Sequence, residues 1–293
     1  MNSSWSSAWR LLRVPFSLYL MPIFWFALSA SPKIDLLKAA AVFGILHLLV
    51  YPASNGYNSY YDRDEGSIGG LKNPPQVTEN LYWLVLAFDV AAVVLAAWLS
   101  WLFGAMVLLY LLVSKAYSFK GIRLKKYPVI STLVVVVFQG AFTFLMVQVG
   151  IDASRPVLLS TTNLLLALVS TLFLGGSYPL TQVYQHEEDA HRGDQTISLK
   201  LGLLGTFLFS GAFLLLGTGV LLYTYWLRDE RWLGLVFLVC TLPVVLVFLF
   251  WVWKVKKNPG AANFENTMRM NKVSSLSLSF AFFLMLIWRL WVN

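Results

Sequence analysis

Asn58 and Asp62 stand four residues apart in Asn58-Ser59-Tyr60-Tyr61-Asp62, and Gln185 and Asp189 stand four apart in Gln185-His186-Glu187-Glu188-Asp189. Residues at this spacing share one face of a helix. Each segment therefore aims an amide and a carboxylate in one direction, with Asp64, Glu65, Glu187 and Glu188 nearby. Carboxylate and amide oxygens are the hard ligands that Mg²⁺ takes, commonly alongside the phosphate oxygens of a substrate. One such segment alone reads as acidic residues solvating a helix end; its repetition favours a pair of metal-binding arms. A third segment, from Lys115 to Pro128, is basic and contains Lys120, Arg123, Lys125 and Lys126. Alone it is an ordinary basic loop. Opposite two acidic arms it offers the cations that a departing diphosphate needs.

The elements that must position these residues follow from composition. The chain has 293 residues, 58% apolar, 16% aromatic and only 12% charged, against roughly 25% charged in soluble domains. A soluble domain is excluded. Apolar runs predict nine membrane spans at about 15–31, 35–55, 81–100, 101–118, 128–149, 158–184, 203–227, 232–253 and 274–292. The run from 81 to 118 is too long for one span, so a very tight turn is expected between Trp98 and Gly104. Ala27-Leu28-Ser29-Ala30 imitates a signal-peptide cleavage site but is read as the end of a retained first span. The lone Cys240 excludes a disulfide framework or a thiolate cluster within the chain.

With the amino terminus inside, sixteen basic residues, Arg192 among them, fall on the inner side. Lys33, Lys38, Arg155, Arg228, Arg231 and Arg289 fall outside. That asymmetry predicts a cytoplasmic amino terminus. The 22 Lys and Arg against 14 Asp and Glu thus read as a topology signal, and no nucleic-acid partner is expected. The expectation is an all-α polytopic membrane protein, one domain over 1–293, nine transmembrane helices in the lipid bilayer. Its chemistry should lie on cytoplasmic loops at about 56–80, 118–128 and 185–202.

In these segments the chain resembles the UbiA superfamily of intramembrane prenyltransferases. That family carries N-D-x-x-D-x-x-x-D after its second span, Y-S-x-x-x-x-R-x-K after its fourth, and D-x-x-x-D-x-x-x-G-x-x-T-L after its sixth. The first maps onto Asn58 to Asp62, with Ser59 where Asp is usual and Gly66 in place of the last Asp. The second maps onto Tyr117, Ser118, Arg123 and Lys125; the third onto Gln185, Asp189, Gly193, Thr196 and Ile197, with Gln185 replacing the first Asp. Lys72-Asn73-Pro74-Pro75 stands where the family often has Arg-Pro. These departures lower the negative charge available to two Mg²⁺ ions; Glu65, Glu187 or Glu188 are candidate compensators, and Lys72 a stand-in for the Arg.

The resemblance implies a UbiA-like bundle that transfers a prenyl group from an isoprenyl diphosphate to a lipophilic acceptor, aromatic or polyene, with Mg²⁺ as cofactor. Asp62 and Asp189 would be the primary Mg²⁺ ligands, and Asn58 and Gln185 secondary ones. Arg123 and Lys125 would clamp the diphosphate, with Lys120, Lys72, Tyr117 and Ser118 assisting. The commonest family setting is a bacterial inner membrane, in lipoquinone or pigment synthesis. Three rivals stay open: a terpene cyclase of the same superfamily, which needs no acceptor, a transporter or non-catalytic membrane protein, and an inactive homologue that has lost its chemistry with the missing carboxylates. Asp89, within the third span, either lines the acceptor pocket or is neutral and hydrogen-bonded inside the bundle. His47 reads as a core histidine, and His186 and His191 as solvated loop residues.

Overall fold

The computed structural model describes residues 3–191 and 193–292; Arg192, counted above on the inner side, lies outside them. Among the described residues nine helices are long and apolar enough to cross a membrane. They are α1 (Ser4–Ala30), α2 (Leu36–Asp62), α3 (Glu79–Leu99), α4 (Trp101–Ser118), α5 (Pro128–Gly150), α6 (Thr161–His191), α7 (Ile197–Leu227), α8 (Arg231–Lys257) and α9 (Phe264–Val292). The predicted spans are all present, but several helices run past their apolar stretch. The segments 56–62 and 185–191, expected as loop, are helical. Hydropathy falls where the polar motifs begin, whereas backbone hydrogen bonding continues.

Local signals set the helix ends. Asp35 caps α2 by accepting from the backbone N–H groups of Leu37 and Lys38, and Thr196 caps α7 through Leu199 N–H. The expected turn near Trp98–Gly104 consists of Ser100 alone, in extended conformation between α3 and α4. A Cβ at Gly104 would lie 2.6 Å from Ala97 Cα, so this hairpin closes only with glycine there. Gly104→Val should destabilise the α3–α4 hairpin by about 1–3 kcal/mol of overpacking, read as a lower unfolding temperature in detergent.

The helices close into a ring. Phe26 of α1 stacks on Phe282 of α9 at 4.3 Å between centroids and meets Phe144 of α5 edge-on. Tyr117 of α4 hydrogen-bonds Tyr178 of α6 at 2.8 Å, and Phe173 of α6 stacks on Phe237 of α8. Gln148 of α5 and Asn163 of α6 exchange hydrogen bonds of 2.8–2.9 Å, an interhelical polar pair of the kind that fixes membrane bundles. His47 is a buried core residue: its Nδ1 lies 3.0 Å from Ser17 O and its ring stacks on Phe43. Asp89 makes a 2.6 Å ion pair with Lys115, whose Nζ also sits 4.7 Å over the Tyr57 ring. It is therefore a charge neutralised inside the bundle.

Candidate active site

Among the described residues, a smaller and a larger cavity adjoin inside the ring. The smaller, about 140 Å³, is lined by Asp62, Asp64, Asp189, Asp194, Lys125 and Arg13 together with Asn58, Gln182, Gln185, Tyr117 and Thr196. The larger, about 590 Å³, is mainly apolar and is lined by residues of α1, α2 and α4–α9. Arg13, Asn58, Gly69, Tyr117 and Gln185 line both. A compartment of charge therefore opens directly onto a compartment suited to a hydrocarbon.

The two acidic arms reach the polar cavity by different local structures. Asn58 and Asp62 lie in the final α-helical turns of α2, so their spacing places them on one face as expected. Within α6, Pro179 starts a 3₁₀ segment ending at Gln185, and α-helix resumes from His186 to His191. Gln185 and Asp189 thus straddle a change of helix type, and both still line the cavity. Gln185 donates from Nε2 to Ser67 O at 3.2 Å. Asn58 Oδ1 accepts from Ser118 Oγ at 2.5 Å, which ties the first arm to the end of α4.

The basic loop folds over these arms. Lys125 Nζ lies 2.7 Å from Asp62 Oδ1 and 3.2 Å from Asp194 Oδ2. Arg123 Nη2 meets both oxygens of Asp194 at 2.9 and 3.1 Å, with its own backbone left-handed at φ 45°. Asp62, Asp194 and Lys125 are almost fully withdrawn from solvent. Asp189 Oδ2 is buried and, among the described residues, has no hydrogen-bond partner. An unsatisfied buried carboxylate oxygen is costly, and a cation would satisfy it.

Of the residues singled out in the sequence, the fold brings Asn58, Asp62, Tyr117, Lys125, Gln185 and Asp189 to one cavity, with Ser118 and Arg123 bonded to its walls. It does not bring Lys72 or Lys120 there. Lys72 is exposed and paired with Glu265 of α9, and Lys120 is exposed in the turn after α4. Glu65 and Glu187 do not line the cavity either. Glu188 approaches Gly66, accepting from its N–H at 3.4 Å, and its carboxylate fills the space that a side chain at 66 would enter. His186 bonds Ser198 Oγ at 2.7 Å, and His191 is exposed.

The model of the UbiA prenyltransferase family matches residues 19–273, most of the chain. The chain belongs to the UbiA prenyltransferase family. Among solved structures, a UbiA homologue from Archaeoglobus fulgidus bound to GPP and Mg²⁺ is 16% identical, with 94% of this chain and 99% of that one covered and a TM-score of 0.67. A UbiA homologue from Aeropyrum pernix K1 is 15% identical over 92% and 97%, with a TM-score of 0.66. A digeranylgeranylglyceryl phosphate synthase is 18% identical over 96% and 99%, with a TM-score of 0.60. None of the curated proteins matches significantly.

Within this UbiA fold, two charged residues of the site escaped sequence reasoning. Asp194 follows Gly193, whose φ of +70° turns the chain back after α6; it lies outside the four-residue spacing that marked Asp189. Arg13 counted only as a topology charge. It is buried, left-handed at φ 51°, and donates to Gly69 O and Asn55 O, each at 3.2 Å. The signal available for Arg13 was an ionisable residue within an apolar run; Asp194, in a polar stretch, carried none. Because Asp194 holds both Arg123 and Lys125, Asp194→Asn should raise the KM of an anionic substrate by about tenfold, with a smaller change in kcat. Steady-state kinetics over a range of substrate concentrations reads this.

Proposed function

We propose that this protein transfers a prenyl group from an isoprenyl diphosphate to a lipophilic acceptor, with Mg²⁺, in the plane of the membrane. The observation that carries this reading is the junction of the two cavities: a pocket of four carboxylates, Lys125 and Arg13 that shares five wall residues with an apolar chamber. An isoprenyl diphosphate has the same two halves. The family match supports the reaction class, and the structures of the Archaeoglobus fulgidus homologue bound to GPP and Mg²⁺ or to DMAPP and Mg²⁺ support the donor class and the ion.

The residues present fit the ion. Asp62 and Asp189 offer carboxylates and Asn58 and Gln185 amide oxygens, and the unsatisfied Asp189 Oδ2 is one donor that lacks a partner. An ion held by these side chains would complete its coordination with substrate phosphates. When bound, Mg²⁺ would neutralise charge on the leaving diphosphate. The protein's own cations do the rest. Lys125, Arg123 and Arg13 are placed to exchange their present partners for diphosphate oxygens, and the apolar chamber excludes water from an allylic cation. The donor C1–O bond breaks with its electron pair on the diphosphate. An electron pair of the acceptor forms the new bond to C1, and the acceptor's proton leaves to the released diphosphate. The inner-side excess of basic residues supports a site facing the cytoplasm, and a bacterial inner membrane is the setting we propose.

The far wall of the chamber sets a length. Phe26, Phe173, Phe237 and Phe282 line it and stack on one another. Phe282 lies eleven residues beyond Asn271, another lining residue of α9, or about 16 Å along the helix. Phe282→Ala should raise the kcat/KM ratio of long over short donors by about tenfold.

The reading is tested by incubating the full chain in detergent with Mg²⁺, labelled farnesyl or geranylgeranyl diphosphate and a membrane lipid extract. Prenylated lipid that disappears with EDTA is the expected result. Cyclised product without extract would make the protein a cyclase instead, and donor left intact under every condition would refute prenyl transfer.

A further inference from the structure

The apolar chamber also has to receive the acceptor, because bond formation takes place at donor C1, where the two cavities meet. Its wall constrains what that acceptor can be. Among the described residues lining the chamber, Arg13 alone is charged. It sits at the shared mouth, lining the polar cavity as well, and so stands beside the diphosphate. The remaining polar groups are hydroxyls and amides, among them Gln139, Ser170, Thr218, Thr241, Asn271 and Ser274. Lys115 follows the lining residue Ser114 but is turned away from the chamber, to Asp89 and the Tyr57 ring.

We propose that the acceptor is an uncharged lipophile oriented by hydroxyl and amide contacts, and not a carboxylated aromatic. This rests on the prenyl-transfer reading. A carboxylate brought into this chamber would lose its water and meet no cation beyond Arg13, which the diphosphate already claims. The cost of an unpaired buried ion is several kcal/mol. A neutral hydroxyl or carbonyl, by contrast, finds partners along the wall, and an alkene needs none. The transfer balances without any further reagent: the acceptor's electron pair forms the bond to C1, its proton passes to the diphosphate released from the same donor, and no oxidant or reductant takes part.

The test splits a bacterial membrane lipid extract by anion exchange into neutral and acidic fractions. Each fraction is supplied, at equal mass, to the full chain with Mg²⁺ and labelled geranylgeranyl diphosphate. The proposal expects labelled product from the neutral fraction and about a hundredfold less from the acidic one. A matched pair sharpens it: a lipophilic phenol carrying a carboxylate should compete with the neutral fraction about a hundredfold less well than its methyl ester. Product formed chiefly from acidic lipids, or equal competition by acid and ester, overturns the proposal. So does a cyclised product formed with no fraction added, although the donor site then stands. Retention of the labelled donor by the protein, measured in parallel with and without EDTA, separates these outcomes: donor that fails to bind with Mg²⁺ refutes prenyl transfer itself.

Discussion

Asp62→Asn and Asp189→Asn should each lower Mg²⁺-dependent prenyl transfer by at least about a hundredfold while the protein still inserts and folds. The two carboxylates reach one cavity from opposite arms, α2 and α6. Asn keeps the shape of the side chain and removes the charge on which a bridging cation depends. Asp62→Asn also removes one ion-pair partner of Lys125, which keeps its contact with Asp194. Asp189→Asn leaves the ion pairs of Lys125 and Arg123 in place. Product formation over a titration of Mg²⁺ reads both variants, and near-normal turnover in either would remove that carboxylate from the metal site.

The second large effect concerns Lys125, which lies between Asp62 and Asp194 and is itself nearly buried. In the metal-free protein it is the counter-charge of both carboxylates. In a loaded site the same ammonium is needed by the diphosphate. Lys125→Met should therefore move two observables in opposite directions. Metal affinity without donor should rise by about tenfold, because Asp62 no longer has an internal cation as competitor. Turnover should fall by about a hundredfold, because a cation that stabilises the leaving group is gone. The metal-free variant should also lose about 3 kcal/mol of stability, the cost of stranding the buried Asp62 carboxylate while Asp194 keeps Arg123, and recover part of it as Mg²⁺ is added. Mn²⁺ titration by electron paramagnetic resonance and a thermal melt with and without Mg²⁺ read these changes. Unchanged metal affinity would mean that Lys125 does not compete with the ion.

The first acidic arm was legible in the sequence because α2 stays helical through Asp62, so spacing translated directly into a common face. The spans were legible too, since an apolar run of membrane length has few alternatives. Their ends were not. Polar motif residues lower hydropathy without breaking backbone hydrogen bonds, so α2 and α6 run on to Asp62 and His191. The second arm reached the cavity through a 3₁₀ segment after Pro179, a geometry that four-residue spacing alone does not describe. Asp194 was hidden behind the left-handed turn at Gly193. Lys72 and Lys120, read as secondary to Lys125 in the sequence, do not reach the cavity at all, because tertiary folding decides which ammonium turns inward. Asp89 left two readings open, a pocket residue or a neutral hydrogen-bonded acid, and the fold gives neither: it lines neither cavity and is ion-paired with Lys115 of a different helix.

On the proposed function, the polar cavity holds a Mg²⁺-bound diphosphate whose tail lies in the apolar chamber. The most direct test of this is equilibrium retention of a labelled, non-ionising geranylgeranyl thiolodiphosphate by the detergent-solubilised full chain, with Mg²⁺ and with EDTA. The account predicts saturable binding with Mg²⁺ that weakens by at least about tenfold in EDTA and in Asp189→Asn. Binding of equal strength with and without the metal, or undiminished in that variant, would contradict it.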